Sequence, residues 1–128
     1  MNVLIVERDK YHAKGLQRVM ESMGHRTDFA PSFDAAQLKL DGHPFDLLFL
    51  DMDHIPRNSK EAFDYLKNYS RDTAVIAMTD STSFSSAFQA LHADAVDILT
   101  KPVDYRKLTL LQSSFFHRHT PNFASMLN

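Results

Sequence analysis

The sequence contains no cysteine and only three glycines in 128 residues. Without cysteine neither a disulfide framework nor a thiolate metal site can form. No Gly-x-x-x-x-Gly-Lys loop occurs, which sets aside a Walker-type nucleotide site, and the first apolar run is not followed by the glycine fingerprint of a dinucleotide site. No apolar stretch approaches the roughly 18–20 residues of a membrane span. The opening MNVLIVERDK turns charged at once and lacks the basic region and cleavage site of a signal peptide. Charge of one sign is also scarce: 14 Lys and Arg stand against 16 Asp and Glu, a net charge of -2, with the two signs interspersed. That balance gives no electrostatic footprint for direct nucleic-acid binding. A cytoplasmic protein without a membrane partner is the expectation.

What is present is the material of one packed domain. Hydrophobic residues make up 44% of the chain, enough for a single core at this length. The pattern alternates short apolar runs with amphipathic stretches. Asn2–Val6 reads as a buried strand, and Leu16, Val19, Met20 and Met23 then share one helix face, with Gly24 at the stop. Thr27–Ala30 makes a weaker strand. Ser32 is placed to cap a helix whose inward residues are Phe33, Ala36 and Leu40, ended by Gly42 and Pro44. Asp46–Asp51 is the most apolar run and reads as a central strand buried on both faces. Ala62, Phe63 and Leu66 mark a third helix, Ala74–Thr79 a fourth strand, and Phe84, Ala87, Phe88 and Leu91 a fourth helix. Val96–Leu99 is the fifth strand, and Leu108, Leu111 and Phe115 lie on a last helix. Residues 1–119 form the domain, and 120–128 a tail or the start of a linker.

Five strands alternating with five helices imply parallel strands joined by right-handed crossovers, a three-layer doubly wound α/β domain. In such sheets the functional crevice lies beyond the carboxyl ends of the strands. Four separated segments end there in reactive groups: Glu7, Arg8 and Asp9 after the first strand, Asp51 ending the third, Thr79 ending the fourth and Lys101 after the fifth. Any one of them has an ordinary explanation as a solvated strand end; their joint placement is what carries weight. A carboxylate can attack a phosphoryl group and become an acyl phosphate. A hydroxyl, an ammonium and a cation held by carboxylates can take up the charge on the phosphoryl oxygens.

Through the segments VLIVERD, FDLLFLDMD, VIAMT and ILTKPVD, in this order and spacing, the chain resembles the receiver domains of response regulators over about residues 2–118. The resemblance implies a flavodoxin-like (βα)5 domain with strand order 2-1-3-4-5. It implies that Asp51 is the phosphoacceptor, that Thr79 is the switch hydroxyl, that Lys101 is the ammonium partner, and that Glu7 occupies the first acidic position. It further implies Mg2+ as cofactor, a histidine kinase or phosphotransfer protein as donor, an output domain in a longer protein, and a homodimer through the fourth helix, fifth strand and fifth helix. Activity as an enzyme is not expected beyond self-dephosphorylation of the aspartyl phosphate.

The sequence departs from the family pattern in several places. The second acidic position is Arg8, which offers no oxygen to a hard cation. Asp9 or Asp53 would then complete the acidic pocket, or Arg8 would itself sit in the cation's place. The proline after the acceptor is Pro56, five residues on rather than four, and Ser59 stands where glycine is common. The aromatic switch position is Ile98, so no ring can rotate there to report phosphorylation. A phosphorylation-independent interaction module is therefore the alternative. A second rival is a haloacid-dehalogenase-type phosphatase, since Asp51-Met-Asp53 matches a DxD motif with Asp51 as nucleophile and Asp53 as acid–base. Two βα units precede the motif here, where that family starts with it. Among seven histidines, His117 and His119 decorate the end of the last helix, and His12 and His54 fall near the crevice without an assigned role.

Overall fold

Branched and apolar residues without a polar face leave β1 (Asn2–Val6), β3 (Leu47–Asp51) and β4 (Ala74–Thr79) only one stable arrangement, buried between two layers. The computed structural model describes residues 1–55, 60–69, 72–80 and 95–108. These add α1 (Lys10–Ser22), β2 (Arg26–Ala30), α2 (Phe33–Gly42), a 3-10 turn (Met52–His54), α3 (Lys60–Tyr69), β5 (Asp97–Thr100) and a helical segment over 105–108. The five strands form one parallel sheet in the order β2-β1-β3-β4-β5.

Alternation along each strand sorts the core into two faces. Leu4, Val6, Leu48, Leu50, Val75 and Ala77 pack with Phe33, Ala36 and Leu40 of α2 and with Ala62 and Leu66 of α3. Val3, Ile5, Leu47, Phe49, Ile76 and Met78 pack with Ala13, Leu16 and Met20 of α1, and with Val103 and Leu108. This is the three-layer sandwich that the alternating pattern predicts.

Local signals fix the helix ends. Asp9 caps α1 by accepting from the amides of Tyr11 and His12, and Ser32 caps α2 by accepting from Ala35. Gly24 has φ +89°, a conformation that favours glycine and lets the chain turn from α1 into β2. Gly15 serves a different purpose: a Cβ there would collide with the hydroxyl of Tyr105, so its absence lets the 105–108 segment lie close to α1. The hydroxyl of Tyr69 closes the end of α2, donating to Leu40 O at 2.8 Å and His43 O at 3.2 Å. Tyr69→Phe should therefore lower stability by about 1 kcal/mol, read as a shift in the urea midpoint with unchanged slope.

Strand boundaries differ from the expected ones by a residue. β2 starts at Arg26, and β5 runs over Asp97–Thr100 because the ladder pairs Thr100 with Thr79. The expectations for Pro56, Ser59, the fourth helix, residues Leu111 and Phe115, His117, His119 and the 120–128 tail lie outside the described residues, as do the side chains of His54 and Phe63. Among the described residues no helix is long and apolar enough to cross a membrane.

Candidate functional site

Register brings the site together. β1 and β3 are neighbours with Val6 opposite Leu50, so one step further along both chains sets Glu7 beside Asp51. Glu7 follows Val3 and Ile5 in alternation, and Asp51 follows Leu47 and Phe49, so both carboxylates start toward the α1 layer. β4 lies on the other side of β3 with Met78 opposite Asp51, which puts Thr79 and Asp80 just beyond. β5 pairs Thr100 with Thr79, and Lys101 N–H donates to Thr79 O at 2.8 Å. Four chain segments thus end at one corner of the sheet, as expected for a doubly wound fold.

The electrostatic centre is Lys101. Its Nζ lies 2.9 Å from Asp51 Oδ1 and 3.0 Å from Glu7 Oε2, and donates to Glu7 Oε1 at 3.2 Å. Glu7 and Asp51 are only 1% and 2% exposed. Two buried carboxylates therefore share one ammonium. The consequence is a split. Burial raises the Asp51 carboxyl above its ordinary value, and the Glu7 charge adds to this against the pull of Lys101. Burial acts on Glu7 in the same sense, but His12 and Lys101 outweigh it and hold that carboxyl low. Burial would lower the Lys101 ammonium, yet Asp51 and Glu7 together raise it, so it stays charged. The Nδ1 of His12 lies 3.3 Å from Glu7 Oε2, an ion contact when the ring is protonated and without hydrogen-bond geometry.

A second set of contacts joins the turn after β3 to the end of β4. Asp53 donates its N–H to Asp51 Oδ1 at 3.1 Å, and its carboxylate accepts from Thr79 Oγ1 and from the Asp80 amide, each at 2.8 Å. Burial opposes ionisation of Asp53, but these two donors and Lys101 win, and its carboxyl is held low. Thr79 is wholly buried. A cleft of about 560 Å³ opens over this corner, bounded by Glu7, Arg8, His12, Asp80 and Lys101.

Asp51, Thr79, Lys101 and Glu7 thus meet. Asp53 joins them through Thr79 rather than as part of an acidic cage. Asp9 is committed to capping α1, and its own N–H donates to Glu7 Oε1 at 3.2 Å. Arg8 is exposed at the cleft, and Ile98 is half-buried against the α2–α3 core. His12 was placed near the crevice without a role, and Asp80 had no signal in the sequence. His12 is one helical turn from an unremarkable cap, and Asp80 acts through a backbone amide, which any residue would supply.

The resemblance to receiver domains implies Mg2+ at this acidic corner. The donor set here does not suit a hard divalent cation, which needs oxygen ligands. Glu7 is engaged by Lys101, Asp9 by its helix, Asp53 by Thr79 and Asp80, and Arg8 has no oxygen to give. Among the described residues no three His, Asp or Glu side chains are grouped to hold a metal.

Comparison with known proteins agrees with the geometry. The model of the response regulator receiver domain family matches residues 3–111. The transcriptional regulatory protein ZraR of Klebsiella oxytoca is 30% identical over 113 residues, which are 88% of this chain and 26% of that protein. The chain therefore spans about a quarter of this curated relative. In fold it is similar to a two-component response regulator from Clostridium difficile, with TM-score 0.83, 22% identity, and coverage of 94% of this chain and 98% of that one. It is also similar to a Saccharomyces cerevisiae co-crystal of the phosphotransfer protein Ypd1 with the receiver domain of Ssk1, with TM-score 0.73, 22% identity, and coverage of 85% and 83%.

Proposed function

Because the chain belongs to the response regulator receiver domain family, we propose that Asp51 is its phosphoacceptor and Lys101 and Thr79 the groups that bind the transferred phosphoryl. The observation that carries this is the 2.9 Å contact between the Lys101 ammonium and a 2%-exposed carboxylate at the carboxyl end of the central strand. In the step itself a carboxylate oxygen of Asp51 attacks phosphorus. The bond from phosphorus to the donor nitrogen breaks, its electron pair stays on the imidazole, and that ring then takes up a proton. The acyl phosphate adds negative charge beside Lys101, which stays protonated and close.

The donor in this reading is a phosphohistidine of a histidine kinase or a phosphotransfer protein, in keeping with the Ypd1-bound receiver of similar fold. An output domain in a longer protein fits the quarter-length match to ZraR. The surface of the fourth helix, fifth strand and fifth helix is the proposed place for a homodimer. With Ile98 in place of an aromatic ring, the state of Asp51 is relayed through Thr79 and the backbone of β4. No turnover of a substrate is proposed beyond hydrolysis of the protein's own acyl phosphate.

One observation favours a second reading. Lys101 already bridges both buried carboxylates and offsets part of their charge without a metal ion, as a phosphorylation-independent interaction module would need. Labelling decides between the two. Acetyl phosphate or phosphoramidate should add one phosphoryl group, which borohydride reduction and peptide mapping place at Asp51. Absence of label with both donors would leave the interaction module.

The metal is separately testable. Mg2+ should bind weakly, with amide shifts still unsaturated at about 10 mM. Arg8→Asp removes a cation and supplies an oxygen ligand, and should tighten Mg2+ binding by at least about tenfold. Equal affinity of the two proteins in an NMR titration would show that Arg8 does not limit the site.

A further inference from the structure

The contacts of Asp53 point to a function beyond acceptance of a phosphoryl group, though the inference rests on Asp51 being the acceptor. Two donors at the carboxyl end of β4, the Thr79 hydroxyl and the Asp80 amide, converge on one carboxylate at 2.8 Å each. They take its two different oxygens, so the carboxylate is gripped by both. These donors border the corner in which Asp51 lies, and Asp53 is itself tied to Asp51 Oδ1 through its own N–H. Lys101 reaches the Asp51 carboxylate at Oδ1, so an anionic oxygen attached to Asp51 would need further donors, and the end of β4, the strand next to Asp51, supplies them.

We propose that the Asp53 carboxylate is a built-in stand-in for the phosphoryl group: it occupies the Thr79 hydroxyl and the Asp80 amide in the unmodified domain and must swing away before they can bind phosphate on Asp51.

The local structure allows that exchange. Asp53 is exposed and sits on a three-residue 3-10 turn, so its carboxylate can swing into water with no desolvation barrier, and what it gives up is the two hydrogen bonds. Thr79 is wholly buried and fixed in the β4 ladder, so the donors stay in place while the anion they hold changes. The incoming phosphoryl carries more charge than a carboxylate and wins the donors once it is covalently attached next to them. The pairing would thus set a threshold, holding the unmodified state in one conformation until phosphorylation displaces Asp53.

The test is a double-mutant cycle on labelling rate with subsaturating phosphoramidate, using wild type, Asp53→Ala, Thr79→Val and the double variant. Asp53→Ala should be labelled about tenfold faster than wild type, and the gain should shrink at least about threefold in the Thr79→Val background. In Asp53→Ala the Asp80 amide resonance should also move and its exchange with solvent quicken. Asp53→Asn keeps one acceptor oxygen and should lie between wild type and alanine. Equal rates in wild type and Asp53→Ala overturn the proposal. So does an equal gain with and without the Thr79 hydroxyl, which would reduce the effect to removal of a repelling charge. Should none of the four proteins take label, the acceptor reading fails and this one falls with it.

Discussion

An Asp51→Asn protein should take no phosphoryl group from any donor and yet be no less stable than wild type by more than about 1 kcal/mol. The loss of labelling follows from chemistry: an amide oxygen does not form the acyl phosphate that a carboxylate does. The stability result follows from electrostatics. The Asp51 carboxyl is raised above 3.8, by burial first and by the Glu7 charge second. Its ionised form is thus a net cost to the fold. Asparagine has the same shape, keeps an oxygen that can accept from Lys101 and the Asp53 amide, and removes the repulsion with Glu7. Intact mass after acetyl phosphate treatment, together with urea denaturation at neutral pH, reads both halves. Residual label at full stoichiometry would move the acceptor elsewhere, and a loss of several kcal/mol would mean that the carboxylate is a net support.

The same split gives the pH dependence a definite sign. Glu7 is held below 4.5, so its contribution is present above that value and is lost as pH falls through its folded pKa. Asp51 is raised above 3.8, so its contribution is fully present below that value and is lost as pH rises through its folded pKa. In the acid range the two partly cancel. Lys101 is raised above 10.5, so its support holds below that pH and disappears as pH rises through its folded pKa.

The chain itself discloses the frame more readily than the network. Strand positions follow from apolar runs, since Leu47–Asp51 and Ala74–Thr79 are buried along their whole length and have no polar residue before the end. Ser32 and Gly24 mark helix boundaries because capping and positive φ are local demands. Strand-end residues are equally visible once the parallel order is known, which is why Asp51, Thr79, Lys101 and Glu7 were identifiable. What the letters do not disclose is which carboxylate pairs with which donor. Asp9 and Asp53 are the same residue type at comparable strand ends, yet one caps a helix and the other holds a hydroxyl and an amide from β4. Asp9 finds its partners two and three residues on, whereas those of Asp53 come from a strand 26 residues away, which local sequence does not disclose.

Lys101→Met offers the sharpest contrast with Asp51→Asn, because here the same corner loses the ammonium that Glu7 and Asp51 share. Glu7 and Asp51, 1% and 2% exposed, would lose the ammonium they share, while methionine preserves the volume of the aliphatic stem. Removing one partner of a buried ionic group costs about 3–5 kcal/mol, mainly from the charge left behind. Protonation of a carboxylate relieves part of that cost, so the deficit should shrink as pH falls toward the carboxylate range and widen toward neutrality. A second substitution checks the cause. Glu7→Gln added to Lys101→Met deletes one of the two stranded charges and should recover a large part of the loss, whereas Glu7→Gln alone should destabilise wild type by removing a supported carboxylate. Urea denaturation of the four proteins closes the cycle. A loss below about 1 kcal/mol for Lys101→Met, or no recovery in the double variant, would mean that water rather than the ammonium stabilises the two carboxylates.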